Sequence, residues 1–521
     1  MHLDPIPDRY ENQKGRKLVT AVSRREFARR IAAGVGASMI SGISSAQSKA
    51  VTEAPAVARS ARRPGDKPNL LFIISDQRRA DTMAVYGNTT YHAPVINQFA
   101  SECVIFEQAY CTQPLCTPSR SSMMTGTWPH QNGCVHLNVP LRPDAMTLPE
   151  LLADPDYRTG FFGKWHLGNE IFAQHGFQEW RSIEDIYEQW YAPGHSKDAR
   201  SSYDHFLRNM GYKPDDTKKD VFSRKYAAEL PVEYTKATYL GIEASNFIYK
   251  NRHQPWLLYV STLEPHTPQT GPLNDLHTED EAPVPKNYPG IPTTPEPESY
   301  KCDREKTKLD RAGFQRVARN YAGLCSLVDQ AVGRILWMLE VTGQSENTIV
   351  VYTADHGEML GSHSMRYKQV MYEESASVPH LLRVPFRSRR ARRIAQPVSH
   401  IDLVPTMMHL LGRDATGLGG HSLVDVLEGK RLPEDVFLEW TEHAPDSFGC
   451  AIPSGRTVVS PDGYKLILYE TGVSMLFDRK RDPMEMINVF GKREYADVQA
   501  RLTRNIATWQ KQTGDKVVLP V

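Results

Sequence analysis

Cys116-Thr117-Pro118-Ser119-Arg120 sets a thiol and a guanidinium four residues apart. The segment predicts a turn running into a helix, with Pro118 at the first helical position, where a missing N–H costs nothing. Ser119, Ser121 and Ser122 are small, so backbone N–H groups at that helix start can face a ligand, and a helix N-terminus is a ready anion site. A cysteine at its mouth has a lowered pKa and is reactive. Arg120, one turn in, reaches the same point. The pattern suits a reactive side chain held beside a bound anion.

Four continuous apolar runs, residues 69–75, 158–162, 256–261 and 348–354, predict strands buried on both faces of a parallel sheet. In such sheets ligands bind beyond the carboxyl ends of the strands. Asp76-Gln77 follows the first run, and Gly163-Lys164-Trp165-His166-Leu167-Gly168 follows the second. Glu264-Pro265-His266-Thr267-Pro268 follows the third. Asp355-His356-Gly357-Glu358 follows the fourth, with Tyr367-Lys368 a little beyond. Asp76, Lys164, His166, His266, Asp355 and His356 therefore gather at one sheet edge, and Cys116 and Arg120 join them from a loop. Asp76, Gln77, Asp355 and His356 make a metal site whose oxygen-rich ligands favour a hard cation such as calcium or magnesium. A thiol at position 116 fits such an ion poorly. An aldehyde hydrate fits well, so a modified Cys116 is expected.

Cys116-Thr117-Pro118-Ser119-Arg120 followed by Thr125-Gly126 resembles the signature of the formylglycine-dependent (type I) sulfatases, within the alkaline phosphatase superfamily. Gly163 to Gly168 resembles a second motif of that family, and Leu476-Phe477-Asp478 with Asp482-Pro483 resembles its closing segment. The resemblance implies that a formylglycine-generating enzyme converts Cys116 to formylglycine (3-oxoalanine), whose hydrate attacks a sulfate ester. It implies Asp76, Gln77, residue 116, Asp355 and His356 as ligands of calcium. Arg120, Lys164 and Lys368 would neutralise charge on the sulfate oxygens. His266, with Lys368, would protonate the leaving alcohol, and His166 would deprotonate the second hydroxyl. The expected substrate is a sulfated carbohydrate or similar ester. Two positions depart from the common pattern, Gln77 for a second Asp and His356 for Asn. Both lower the negative charge, which admits magnesium or manganese. They also keep phosphonate monoester or phosphodiester hydrolysis as the alternative. A catalytically dead binder of sulfated glycans is a third reading, opposed by the intact Cys116, Arg120, Lys164, His166 and Asp355.

The chain has 521 residues and a formal net charge of +1, so it is too long for one small core, and nothing argues for nucleic acid or an anionic membrane surface. The expected class is α/β: a large, mostly parallel central sheet flanked by helices, alkaline phosphatase-like, with a smaller C-terminal antiparallel α+β unit. Residues 310–342 show helical apolar spacing and predict a core helix. Residues 68–434 form the expected catalytic domain and 435–521 the C-terminal unit. The stretches 183–231 and 269–300 read as loops over the site. Seven cysteines with no Cys-x-x-Cys pair argue against a zinc ribbon, and six could pair while leaving Cys116 over. Within residues 1–67, Ser23-Arg24-Arg25-Glu26-Phe27, an apolar run at 31–43 and Ser44-Ser45-Ala46 resemble a twin-arginine export signal, the run being short for a bilayer span. A periplasmic or secreted protein without stable membrane insertion is expected. Because that route carries folded chains, Cys116 would be modified before transit.

Overall fold

The computed structural model describes residues 66–281, 284–442 and 450–520; the export-type segment lies outside them. The strands in chain order are β1 Asn69–Ser75, β2 Val104–Phe106, β3 Ala109–Tyr110, β4 Arg158–Gly163, β5 Glu179–Arg181, β6 Trp256–Thr262, β7 Thr348–Ala354 and β8 Ser377–Val378. They continue with β9 His380–Arg383, β10 Arg392–Ile394, β11 Val398–Ser399, β12 Val436–Trp440, β13 Gly455–Val459, β14 Tyr464–Tyr469 and β15 Met475–Asp478. The main sheet has the order β10-β2-β9-β7-β1-β6-β4-β5. Strands β7, β1, β6, β4 and β5 run parallel, while β9 is antiparallel to both its neighbours.

Alternation along β1 splits the core into two layers, since successive side chains point to opposite faces. Leu70, Phe72 and Ile74 pack with Phe161, Tyr259 and Val351 and with Met123 of the helix Cys116–Thr125. Leu71 and Ile73 pack with Phe162, Val260 and Val350 under the helices Lys236–Lys250 and Arg311–Val341. The second of these helices is capped by Asp310, whose side chain accepts from the Gly313 N–H. It is long and apolar enough to cross a membrane, but 72% of that window is buried inside the protein, so it is a core helix.

Strands β12 to β15 form a separate antiparallel sheet backed by the helix Ala496–Thr513. Strands β8 and β9 are separated by Pro379, which lacks the N–H that a ladder needs. The stretch expected as an open loop to residue 300 closes with a helix, Glu298–Thr307. Cys302 in that helix is disulfide-bonded to Cys450 at the C-terminal unit, with Cα atoms 6.1 Å apart. Cys103, Cys111, Cys116, Cys134 and Cys325 are free and buried, so the six-cysteine pairing does not form. The 183–231 stretch carries the helices Ser202–Asn209 and Arg224–Ala228, and Tyr203, Leu207 and Phe222 from it enter the core.

Candidate active site

Sheet register builds the site. Ser75 at the end of β1 pairs with Ala354 of β7 on one side and Thr262 of β6 on the other, and Gly163 of β4 pairs with Ser261 of β6. The next residues, Asp76, Asp355 and Lys164, leave the sheet together. Gly163 has φ +120°, and a Cβ there would lie 1.8 Å from the Ser261 carbonyl oxygen, so only glycine allows Lys164 this exit. Gly357 fills the same need beyond His356, because its Cβ would meet the Glu374 carbonyl oxygen at 2.0 Å. Gln77 and His166 take left-handed backbone angles, φ +61° and +59°, a cost that non-glycine residues bear where neighbours dictate the conformation.

The helix opens at Cys116 itself, with Leu115 as N-cap, so Pro118 sits deeper in the first turn than the sequence suggests. Its missing N–H is still one that no intrahelical carbonyl would take. Cys116 Sγ lies 3.1 Å from His356 Nε2 and 3.9 Å from both Asp76 Oδ1 and Lys164 Nζ. Arg120 is 1% exposed and ties the two carboxylates together. Its Nε donates to Asp355 Oδ2 at 2.9 Å, its Nη2 to Asp76 Oδ2 at 3.0 Å, and its Nη1 to the Lys164 carbonyl and Ser261 Oγ at 2.8 Å. Lys164 Nζ donates to Asp76 Oδ2 at 2.5 Å. Removing one member of such a buried ion set typically costs about 3–5 kcal/mol, because a charge is left without its partner.

Asp76, Cys116, Asp355 and His356 offer donor atoms all within 4.8 Å of one another, and all four residues are buried. His356 Nδ1 is spent on the Gly357 carbonyl at 2.9 Å, which leaves Nε2 facing this group. Two carboxylates and such an imidazole fit a divalent cation. Gln77 is engaged elsewhere. Its backbone N–H donates to Asp355 Oδ1 at 2.9 Å, its amide nitrogen donates to Glu358, and its Oε1 accepts from Lys368 Nζ at 2.6 Å.

Charge follows from these contacts. Burial raises the Asp76 pKa, but Lys164, His266 and Arg120 outweigh it and hold the carboxyl well below its ordinary value. Burial and Asp76 push the Cys116 thiol up, yet Lys164, Lys368 and His356 bring it down overall. Burial opposes charge on His356, but Asp355 and Cys116 hold its pKa above the usual range. His166 and His266 are held well below the histidine range, first by burial and then by Lys164 and Lys368 respectively.

The catalytic motifs line one cavity of about 430 Å³, which Cys116, Lys164, His166, His266 and Lys368 share with Arg366. This volume suits a small-molecule ligand. The sulfatase family model matches residues 68–413, about two thirds of the chain.

The chain belongs to the sulfatase family.

A second model, the C-terminal region of N-sulphoglucosamine sulphohydrolase, matches residues 361–512 of this sulfatase. The N-acetylglucosamine-6-O-sulfatase of Bacteroides thetaiotaomicron is 27% identical, over 86% of this chain and 87% of its own. Among solved structures, BT4656 in complex with its substrate D-glucosamine-2-N,6-O-disulfate superposes with TM-score 0.71 at 23% identity, covering 87% and 99% of the two chains. A phosphonate monoester hydrolase from Silicibacter pomeroyi shares the fold with TM-score 0.72 at 22% identity, covering 86% and 96%. The sulfatase is thus a sulfuric ester hydrolase built on the alkaline phosphatase-like fold.

Several residues of this sulfatase site carry no signal in the sequence. Asn138 Oδ1 lies 2.8 Å from His166 Nε2, from a loop whose N–H is bonded by Thr117 Oγ1. Glu170 accepts the N–H groups of Trp165 and His166 and so fixes the second motif, and burial pushes its pKa up to about 7. Tyr187 and Arg224 line the cavity from the 183–231 stretch, with Arg224 tied to buried Glu184. An isolated Asn or Arg in a polar stretch has no spacing that marks it.

Proposed function

We propose that this enzyme removes sulfate from a sulfated carbohydrate through a formylglycine at position 116 beside a divalent cation. The observation that carries the reading is the buried cluster of Asp76, Cys116, Asp355 and His356 donors within 4.8 Å, flanked by Arg120 and Lys164. Those four residues would hold the ion, calcium or else magnesium or manganese, and its positive charge would face the sulfate oxygens. Formylglycine would supply two geminal hydroxyls, one to attack sulfur and one whose deprotonation releases sulfate and restores the aldehyde. A formylglycine-generating enzyme is therefore a required partner.

The chain's own groups complete the chemistry. Arg120 and Lys164 balance the two aspartates, and Lys164 and Lys368 present ammonium groups to developing charge on the sulfate, the preorganised stabilisation that dominates catalysis. His266 Nδ1 bonds the Thr267 carbonyl at 2.8 Å, so its Nε2 is unprotonated and accepts from Lys368 Nζ at 3.2 Å. The proton for the leaving alcohol is held by this pair, on Lys368. His166 donates Nε2–H to Asn138, and its Nδ1 has no partner among the described residues; Nδ1 is the base at residue 116.

One observation favours a second reading, hydrolysis of a phosphonate monoester or phosphodiester: an imidazole and an amide stand at 356 and 77, where many sulfatases carry an amide and a carboxylate. Comparing kcat/KM on an aryl sulfate and an aryl phosphonate monoester tests the choice. A higher value on the sulfate is expected, and a large excess on the phosphonate would overturn it. The disulfide Cys302–Cys450 suits an oxidising compartment, which supports export by the twin-arginine route to the periplasm or beyond.

A further inference from the structure

The cations around the cavity differ in what holds them. Arg120 and Lys164 are matched by Asp76 and Asp355. Arg224 donates from Nε to Glu184 at 2.7 Å and from Nη2 to the Tyr187 hydroxyl at 2.8 Å. Arg366 lines the same cavity and forms no ion pair with a carboxylate among the described residues. Its Nη2 donates to Gln269 Oε1 at 2.7 Å, and its guanidinium rests 4.7 Å from the Tyr367 ring centroid. Its Nε is buried with no acceptor. Gln269 shows the same lack, since its amide nitrogen is also buried with no acceptor. Two neighbouring donors are thus left unmet.

Both are held in place. The Gln269 carbonyl accepts from Asn320 of the helix Arg311–Val341 at 3.1 Å. Arg366 lies between Ser364 and Tyr367, whose φ values are +59° and +69°, so its backbone path is dictated by its surroundings. Lys368, two residues on, faces the same cavity and belongs to the cleavage machinery. A cavity of about 430 Å³ has room for more than one sulfate group.

We propose that Arg366, oriented by Gln269, forms a second anion site in this cavity, and that the substrate carries a second negative group, a sulfate or a carboxylate, besides the sulfate removed. This rests on the sulfatase reading above. A guanidinium matches the planar or tetrahedral oxyanion of either group. The anion accepts from the Arg366 guanidinium at the cavity wall, with the Tyr367 ring packed against that guanidinium.

The test uses full-length protein carrying formylglycine and reads inhibition of 4-nitrophenyl sulfate hydrolysis. The inhibitors are hexose and hexosamine monosulfates, disulfates and sulfated uronates. Wild type is expected to bind dianionic members at least about tenfold more tightly than their monosulfated parents, the size of one charge-assisted hydrogen bond of about 1.5–3 kcal/mol. Arg366→Gln is expected to erase that ratio and Arg366→Lys to restore part of it. Tight disulfates with weak uronates identify the second group as sulfate, and the reverse identifies a carboxylate. A wild-type ratio near one, or a ratio that survives in Arg366→Gln, overturns the second site while leaving the sulfatase reading intact. Absence of any 4-nitrophenyl sulfate turnover by protein shown to carry formylglycine overturns both.

Discussion

Lys368 Nζ sits 3.2 Å from His266 Nε2, and the other imidazole nitrogen is bonded to the Thr267 carbonyl. Burial and Lys368 hold the His266 pKa well below the ordinary value, so we assign the donated proton to the Lys368 side of the pair. The sequence suggests His266 as the acid with Lys368 assisting; we propose the opposite emphasis, with Lys368 as the donor. Lys368→Ala is expected to lower kcat on alkyl sulfates by about 10²- to 10⁴-fold, the usual worth of general acid catalysis. The loss should shrink steadily along a series of aryl sulfates with better leaving groups. An equal loss across the series would remove Lys368 from the acid role.

Asn138 fixes which nitrogen of His166 carries the proton. Its Oδ1 accepts from Nε2, which leaves Nδ1 as the lone pair for proton abstraction. Asn138→Ala is expected to slow the later, sulfate-releasing step by about 5- to 10-fold, the worth of one hydrogen bond of about 1–1.5 kcal/mol. Rapid-mixing kinetics should then show a burst of released alcohol that wild type lacks. A uniform slowing without a burst would assign Asn138 to folding alone.

Stability should fall in mild acid through His380. This residue is fully buried beside Phe106, and neither ring nitrogen has a partner among the described residues. Burial pushes its pKa down to about 3. The unfolded chain takes up the proton near pH 6.5 while the folded chain does not, so the contribution is fully present above 6.5 and is lost as pH falls towards 3. The slope is about 1.4 kcal/mol per pH unit for one such group. Urea unfolding at pH 7 and pH 5 should show His380→Leu losing about 2 kcal/mol less than wild type over that interval. Parallel losses in the two proteins would contradict this.

Where a signal was periodic or contiguous, the sequence was readable. Strands β1 and β7 match their apolar runs to the residue, and Asp76, Lys164, His166, His266, Asp355 and His356 emerge just past strand ends as expected. The register that sets Ser75 beside Ala354 and Thr262 makes that edge a single site. The helix start at Cys116 was missed by two residues, because Pro118 is tolerated anywhere in a first turn. Arg224, Asn138, Glu170 and Gln269 were invisible, since each acts through one long-range contact that no local spacing encodes. The pairing of Cys302 with Cys450 likewise depends on two units meeting 148 residues apart.

The central claim is that residue 116 works as formylglycine, because Cys116 Sγ lies among the donors of Asp76, Asp355 and His356, where an oxygen ligand suits a hard cation and a thiol does not. Mass analysis of the tryptic peptide bearing residue 116, from active full-length protein made alongside a formylglycine-generating enzyme, tests it most directly. The expected result is an aldehyde in place of the thiol, captured by a hydrazide, with the converted fraction tracking specific activity across preparations. Full activity in protein whose residue 116 is wholly unmodified cysteine would contradict it.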